Sequence, residues 1–471
     1  MFFVFPSRVI LNLQRIPLLY WLILFFAFCL RFYNLGDVQQ AVFDEVYFPK
    51  FAYGYIQEKP FFHTHPPFAK YLMMGGMKIY HALPWIHEPQ LGSQAFEALN
   101  PVSYRWLNAL VGSLLCSLIA GIMYLLTRSH RTALIAMGFV ALDGTMIVAS
   151  RYGLSNIHIL FWGYLSLLFL VQALRCKLSW WYLVPLSVLL GLVVSVKWNG
   201  LSYWIICLVA ISILLLLSSL TSLKTREGSH ADFLIKSIRS SSKLKKFGLF
   251  PLLILVPAII YSSLWVPDLR LNTRYDFREI HHQILTYHSS GVEADGHRYC
   301  SRWYSWPVMY KPISYHFEKI RKDGETGKAQ IFKDIHLFGN PFLYWVSIPI
   351  MLALISWFFM DVYRLFRERF LADDIFIKGF IFMGYGASYL PWSLVTRCTF
   401  LYHYQTAAVF SFLSTAYILS KLWSLNKVAK VGVAIVFAAL IFSFVYWLPF
   451  QLGIEISRSG FYQRMWFGSW I

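Results

Sequence analysis

Long apolar runs, separated by polar segments that are mostly short, make up most of the chain. A helix needs roughly 17 to 25 mainly apolar residues to cross the hydrocarbon core of a bilayer. The pattern predicts eleven such spans, near residues 17–30, 105–126, 133–150, 155–173, 180–196, 201–219, 247–266, 342–361, 375–395, 400–420 and 431–449. We therefore expect an all-α polytopic membrane protein that forms a single membrane domain over residues 1–471.

Only two of the connecting segments are long, 36–104 and 267–341. Within the first, the aromatic and apolar spacing near 46–57 and 66–80 predicts short helices that lie on the membrane surface. The chain shows no internal repeat, so its two long loops are not copies of one unit.

The basic residues predict the orientation. Arg8 and Arg15 precede the first apolar run and no small-residue cleavage site follows it, so this run is interpreted as a retained anchor. Further basic residues cluster in alternate short connections, at 128–131, 175–177, 221–246, 364–369 and 421–430. Because short cytoplasmic loops are enriched in Lys and Arg, both long loops and the tail from Gln451 are predicted to be extracytoplasmic.

Composition agrees with a membrane class and excludes others. Of the 471 residues, 58% are hydrophobic, 19% aromatic and only 14% charged, which is too apolar for an ordinary soluble domain. The net charge of +19 comes mostly from short connections and not from one soluble basic face, so we expect no nucleic-acid partner. The segment 221–246 is expected to be a solvated basic cytoplasmic loop beside an anionic leaflet. The six cysteines form no CxxC and no metal spacing, and they indicate little about redox compartment.

An acidic pair, Asp44-Glu45, stands in the first outer loop, ahead of His65-Pro66-Pro67. A loop that merely joined two helices would have no use for such a pair at a bilayer surface. We therefore take Asp44 and Glu45 as candidate catalytic residues, because a carboxylate can remove a proton from an incoming hydroxyl.

Four cations fall at the outer ends of predicted spans, and each carries notable neighbours. They are Arg105; Arg151 with Asn156; Lys197 with Trp198 and Asn199; and Arg397 with Tyr402-His403-Tyr404. Ionisable groups in apolar surroundings are costly and usually functional, although any single one could instead reach the interface. Together they predict a site for a lipid phosphate, which Arg and Lys bind and stabilise as a leaving group.

Two further sets of residues have competing interpretations. Asp143, late in the third span, is expected to be a structural partner of Arg151 in preference to a catalytic group. His63 and His65 could hold a divalent metal, but loop histidines more often form local hydrogen bonds, so no cofactor is assigned with certainty. The histidines of the second loop, which match no metal-binding spacing, are expected to be solvated: His281, His282, His288 and His297.

A series of motifs resembles the protein O-mannosyltransferases. In order between about residues 40 and 410 these are FDEVYFPKFAYGYI, HPPFAK, PVSYRWLNALVG, SRYGLSN, VKWNGL, RWYSWPVMYKP, GNPFLYW and YLPWSLVTRCTFLYHYQ. The resemblance implies a GT-C glycosyltransferase fold in the inner or plasma membrane, with its active site facing outward. It also implies inverting transfer of a mannose-like sugar from a polyprenyl-phosphate donor to Ser or Thr hydroxyls of a secreted or membrane protein.

The same resemblance assigns residue roles. Asp44 corresponds to the favoured base, His65 to a loop that shapes the site, and Arg105 to a structural or phosphate-side arginine. Donor-phosphate contacts are implied for the motifs around 197–198 and 397–404, that is for Lys197, Trp198, Arg397, Tyr402, His403 and Tyr404.

Two departures from the family pattern affect the prediction. Asn156 stands where an aspartate usually follows the span-four arginine, so substrate choice is expected to differ. The loop 267–341 is too short for the β-trefoil domain of eukaryotic members, which implies a bacterial or archaeal type. Two alternatives remain: a GT-C transferase acting on a glycolipid such as lipid A, and a polytopic transporter or flippase, a class that tends to show repeated halves.

Overall fold

The computed structural model describes residues 17–290, 296–321 and 330–471, so Arg8 and Arg15 lie outside the described residues. The helices are α1 Leu18–Phe32, α2 Phe48–Ile56, α3 Phe68–His81, α4 Val102–Thr127, α5 His130–Leu142, α6 Gly144–Arg151, α7 Asn156–Arg175, α8 Trp180–Val194, α9 Leu201–Ser219, α10 His230–Arg239, α11 Lys243–Leu271, α12 Phe277–Ser290, α13 Pro341–Glu368, α14 Ile375–Tyr389, α15 Gln405–Trp423, α16 Lys427–Leu452 and α17 Arg458–Arg464. The strands are β1 Lys224–Thr225, β2 Ile313–Arg321, β3 Gln330–Leu337, β4 Phe370–Leu371 and β5 Ile456–Ser457.

The described helices form a multi-pass membrane protein. Six are long and apolar enough to cross a bilayer, and α5 with α6, bent by 59° between them, gives a seventh candidate span. Helices α1 and α8 are shorter apolar helices. Every predicted span coincides with a helix or a bent helix pair, α14 and α15 included, whereas eleven as the number of membrane crossings stays a prediction.

Helix α15 lies at the centre of the bundle, with nearly all of its first four turns buried. It is rich in Ala, Ser and Thr, and such small residues let neighbouring helix backbones approach closely. At Gly384 of α14 an added Cβ would lie 2.1 Å from a ring carbon of Phe410, so only glycine fits there. The hydroxyl of Thr415 meets that of Ser347 on α13 at 2.8 Å, which satisfies both in the apolar interior.

The first long loop is an ordered cap, and its predicted short helices are α2 and α3. The loop is tied to the outer end of α11 at several points. Tyr55 donates its hydroxyl hydrogen to Asp268, and the backbone N–H of Phe61 donates to Oδ1 of Asn272 at 2.6 Å. These bonds hold the loop over the ends of the spans.

The second long loop contains features that an all-α prediction lacks. Strands β2 and β3 form an antiparallel hairpin, and β5 from the C-terminal tail joins the β3 edge. A disulfide links Cys300 of this loop to Cys398, which follows α14, across 98 residues of sequence. The pairing was not expected from the cysteine spacing.

The basic segment 221–246 is more ordered than the expected solvated loop. It contains β1, which pairs with β4 in parallel, and α10, which buries Leu234, Ile235 and Ile238. The exposed Lys236 pairs with Asp232 at 2.8 Å. The charged face is therefore solvated, while the apolar face packs against α7 and α9.

Candidate active site

A cleft of about 990 Å³ opens between the first long loop, the 197–199 turn, α12 and the segment that leads into α15. Seven of the residues predicted for the site line it: Asp44, His65, Lys197, Trp198, Arg397, Tyr402 and His403. The structure thus brings one carboxylate and two cations from three distant parts of the sequence to one cavity.

Asp44 and Glu45 lie on a short 3-10 helix, Phe43–Val46. Glu45 closes it by accepting the N–H of Val42 at 3.0 Å. Phe43 has φ of 48°, a strained conformation for a bulky residue, and its ring stacks on Tyr315 with centroids 4.7 Å apart. This backbone sends the two neighbouring carboxylates into different surroundings.

The Glu45 carboxylate is fully enclosed and has four donors. Arg105 donates to its two oxygens at 2.8 and 2.7 Å, Gly153 donates at 2.7 Å, and Val42 supplies the fourth bond. A carboxylate has about four lone-pair sites, so none is left for a substrate. Glu45 is therefore held inside the protein body by these donors and does not face a substrate.

Arg105 uses all five of its N–H groups. Besides its two bonds to Glu45, it donates to the carbonyl oxygens of Leu35, Val38 and Gln40, at 2.9, 2.7 and 3.0 Å. Arg105 thus fastens the start of the first loop to the outer end of α4, behind the wall of the cleft.

Asp44 is partly exposed and lines the cleft. Among the residues that the structure describes, none donates a hydrogen bond to its carboxylate. Burial raises the pKa of Asp44 to about 6, because a desolvated carboxylate is less stable charged, while the positive charge of Lys197 acts in the opposite direction. The result is a carboxylate that is unpaired, accessible and more basic than usual.

Lys197 is the cation on the opposite wall. Its Nζ donates to Oδ1 of Asn156 at 2.9 Å and lies 5.3 and 5.4 Å from the ring centroids of Phe48 and Tyr402. Burial lowers its pKa to about 8; Asp44 opposes this shift and Arg397 adds to it. Asn156 itself stands behind Lys197 and does not line the cleft.

Arg397 is the second cation of the cleft. One guanidinium nitrogen donates to the carbonyl oxygen of Cys398 at 3.0 Å, which leaves other N–H groups for a ligand. Burial lowers the pKa of Arg397, with Tyr402 opposing the shift. The group stays a cation at neutral pH, because an arginine begins from a very high pKa.

Histidines and aromatic rings form most of the remaining wall. His65 stacks on Phe48 and on His288, with centroids 5.8 and 5.4 Å apart. His403 packs on Trp392 at 4.3 Å. Burial is the main cause that lowers the pKa of His65 and His288, so both are neutral at pH 7.

His63 and His65 make local contacts. Lys70 donates to the carbonyl oxygen of His65 at 3.0 Å, and its Nζ lies 3.4 Å from Nδ1 of His63. Within the described ranges, no three His, Cys, Asp or Glu side chains form a group that could hold a metal ion. The contacts of the two histidines are those of a loop held by a lysine.

The expectation that four cations face one carboxylate pair is wrong for two of them. Arg105 is bound to Glu45, and Arg151 donates to the carbonyl oxygens of Leu30 and Tyr33, away from the cleft. Both side chains are buried, so their guanidinium groups donate to backbone carbonyl oxygens and, for Arg105, to the Glu45 carboxylate, and neither reaches the cleft.

Two further expectations are corrected. Asp143 does not pair with Arg151; it caps α6 by accepting the N–H of Met146 at 3.0 Å and also accepts that of Asn340 at 3.1 Å. Tyr404 does not line the cleft, since its hydroxyl meets that of Tyr385 at 3.2 Å in the interior.

Sequence reasoning missed several cleft residues. His288, expected to be solvated, donates its Nε2–H to the carbonyl oxygen of Thr64 at 3.0 Å and lines the cleft together with His297. Phe48 and Trp392 also line it. The only sequence signal for the last two was their place beside the acidic pair and beside Arg397.

Two family models, one after the other along the sequence, together match most of the chain. The model described as "Dolichyl-phosphate-mannose-protein mannosyltransferase" matches residues 21–269. The model described as "C-terminal four TMM region of protein-O-mannosyltransferase" matches residues 273–470. The first alone spans more than half of the chain.

Individual proteins agree with the family match. The chain is 24% identical to a polyprenol-phosphate-mannose–protein mannosyltransferase of Corynebacterium glutamicum, over 94% of this chain and 92% of that protein. It is 22% identical to the enzyme of the same name from Mycolicibacterium smegmatis, over 93% and 90%. Its fold resembles the S. cerevisiae protein O-mannosyltransferase Pmt1-Pmt2 complex bound to the sugar donor, with a TM-score of 0.73, 15% identity, and coverage of 96% of this chain and 92% of the other.

Proposed function

This chain belongs to the dolichyl-phosphate-mannose–protein mannosyltransferase family, and from that premise we propose that it moves mannose from a polyprenyl-phosphate donor to Ser or Thr hydroxyls of proteins. The observation that carries the proposal is the cleft, where the unpaired Asp44 carboxylate shares one cavity with Lys197 and Arg397. A proton acceptor and a phosphate-binding pair are the two functions that glycosyl transfer from a lipid phosphate requires.

The reaction is a single displacement. Asp44 accepts the proton of the acceptor hydroxyl while the oxygen of that hydroxyl forms a bond to the anomeric carbon. The bond from that carbon to the phosphate oxygen breaks on the opposite face, and the lipid phosphate leaves with the electron pair. Because one displacement occurs, the configuration at the anomeric carbon inverts. A pKa of about 6 leaves Asp44 ionised at neutral pH yet a stronger base than an ordinary aspartate.

Lys197 and Arg397 bind the leaving phosphate. Lysine supplies a compact charge and arginine a planar fork of donors, and both bind more strongly as negative charge grows on the phosphate. Trp198 borders the same region, and its indole N–H donates to Tyr261 at 2.9 Å, which fixes the ring. His65, Tyr402 and His403 shape the cavity, while Glu45 and Arg105 position the turn that carries Asp44.

The outward orientation rests on two independent features. Basic residues occupy the connections opposite the cleft, as the positive-inside rule requires of a cytoplasmic side. The Cys300–Cys398 disulfide lies on the cleft side, and disulfides persist in oxidising, extracytoplasmic compartments. Secreted and membrane proteins pass through that compartment and would be the acceptors.

The test is a transfer assay with purified protein. A polyprenyl-phosphate mannose with labelled sugar is incubated with a Ser/Thr-rich peptide, with a lipid A-type glycolipid, or with GDP-mannose replacing the lipid donor. The proposal requires label on the peptide only, and only from the lipid donor. Label on the glycolipid alone would establish the glycolipid transferase instead. Movement of the lipid donor between the two leaflets of vesicles that contain the protein, without transfer, would establish a flippase.

A further inference from the structure

Arg397 lies on a segment with no regular secondary structure of its own. Residues 395–400 connect the 3-10 helix Leu390–Leu394 to the 3-10 helix Leu401–Tyr404 and belong to no helix or strand. Local backbone geometry therefore does not fix the position of the guanidinium. Something outside the segment has to do so, because a loop of this kind otherwise samples many conformations.

The second outer loop fastens the segment on both sides of Arg397. The disulfide joins Cys398 to Cys300, and the backbone N–H of Ser301 donates to the carbonyl oxygen of Thr399 at 2.8 Å. The Thr399 hydroxyl donates back to the carbonyl oxygen of Ser301 at 2.6 Å. Arg302 donates to the carbonyl oxygen of residue 396 at 3.2 Å. We call these contacts, between 300–302 and 396–399, the staple.

The staple also stands between two cavities. Cys398 lines the cleft, whereas Cys300 lines a neighbouring cavity of about 490 Å³, and Arg397 lines both. A long arginine side chain beside two cavities has two places to lie. The covalent link keeps its backbone on the cleft side, so the cation is in position before the donor arrives.

We propose that the Cys300–Cys398 disulfide positions Arg397 for the donor phosphate, so that donor affinity depends on the oxidised state of this bond. The inference rests on the proposed function of the cleft. It assigns no reacting atom to either cysteine; both act through Arg397. Misplacing a binding group by about 1 Å can cost up to roughly a hundredfold in rate. The effect here is expected in the donor KM, because Arg397 binds the donor phosphate, and also in kcat, because it binds that phosphate more strongly as the phosphate leaves.

The test is a double-mutant cycle between the staple and Arg397. Donor KM, kcat and Tm are measured for the Cys300→Ser/Cys398→Ser variant in the wild-type and the Arg397→Ala backgrounds. The inference requires a rise in donor KM in the first background and no further rise in the second. An equal rise in both would mean that the disulfide only supports the fold, and would overturn the inference.

Two companion measurements guard against a folding defect. Thr399→Val leaves the disulfide intact and removes one bond of the staple, and a smaller rise in donor KM that disappears in the Arg397→Ala background is expected. A thiol reductant should reproduce the double-serine effect in the wild type and in Cys29→Ser, which lacks an exposed free cysteine that forms no disulfide. If Arg397→Ala leaves the donor KM unchanged, Arg397 does not bind the donor phosphate and the inference is overturned. The proposed function is tested separately by Asp44→Asn: loss of transfer in that variant would still support the cleft as the active site.

Discussion

Nζ of Lys197 donates a 2.9 Å hydrogen bond to Oδ1 of Asn156, so the cation that faces Asp44 rests on a neutral amide and not on a carboxylate. An aspartate at this position would neutralise the lysine before a phosphate reached it. With an amide, the full charge of Lys197 remains available to a ligand. Burial lowers the pKa of Lys197, and the neutral amide of Asn156 does not raise it again as a carboxylate would.

The pH dependence of kcat/KM is expected to be bell-shaped. Activity should rise with pH through about 6, as Asp44 loses its proton and becomes able to accept one, and fall above about 8, as Lys197 loses its charge. The two groups interact, so the limbs belong to the pair. Transfer assays across this range check the prediction, and a profile that stays flat well below pH 6 would exclude Asp44 as the base.

Asn156→Asp should move the alkaline limb upward. A carboxylate beside Lys197 favours the ammonium form and should raise its pKa by about one unit or more. The acid limb should move little, because Asp44 lies across the cleft. The profile of Asn156→Ala is the control, since it removes the hydrogen bond without adding charge. An alkaline limb that is identical in the wild type and Asn156→Asp would show that Lys197 does not govern it.

Lys197→Ala should lower kcat/KM for the lipid donor on the order of a hundredfold, because a contact to the leaving phosphate contributes a few kcal/mol to the transition state. The loss should appear with every acceptor peptide, since the lysine binds the donor side. Lys427→Ala, at an exposed position on the opposite face, is the control and should behave as wild type. Full activity of Lys197→Ala would place the phosphate elsewhere.

Glu45→Gln should lower the free energy of unfolding more than the cleft substitutions Asp44→Asn and Lys197→Ala do. Removing one partner of a buried ion pair costs about 3 to 5 kcal/mol, because the fully enclosed Arg105 is left without its counter-charge. Lys50→Gln breaks the exposed pair with Glu97 and should cost about 1 kcal/mol or less. Thermal unfolding in detergent measures both, and equal Tm values would contradict the structural role of Glu45.

The sequence was sufficient for most of the membrane architecture. Apolar length sets where a helix can cross a bilayer, so the positions of the spans followed from the pattern alone, as did α2 and α3 of the first loop. That Asp44, Lys197 and Arg397 lie on one common face also followed, because short turns leave a residue little choice of side.

Contacts between distant segments could not be predicted. Whether an arginine faces a cleft or a buried partner depends on helix rotation, which is why Arg105 and Arg151 were both expected at the site. The disulfide joins two of six cysteines across 98 residues, and only the folded topology brings them together. His288 reaches the cleft because α12 packs over the first loop, a relationship that spacing within α12 does not contain.

The central claim is that Asp44 removes the acceptor proton while its neighbour Glu45 only holds the turn. Asp44→Asn preserves shape and removes the base, so the single-turnover rate of mannose transfer to a Ser/Thr peptide should fall about a thousandfold, with Tm and binding of the polyprenyl-phosphate donor unchanged. Transfer by a folded, donor-binding Asp44→Asn protein at a rate within tenfold of wild type would contradict the account.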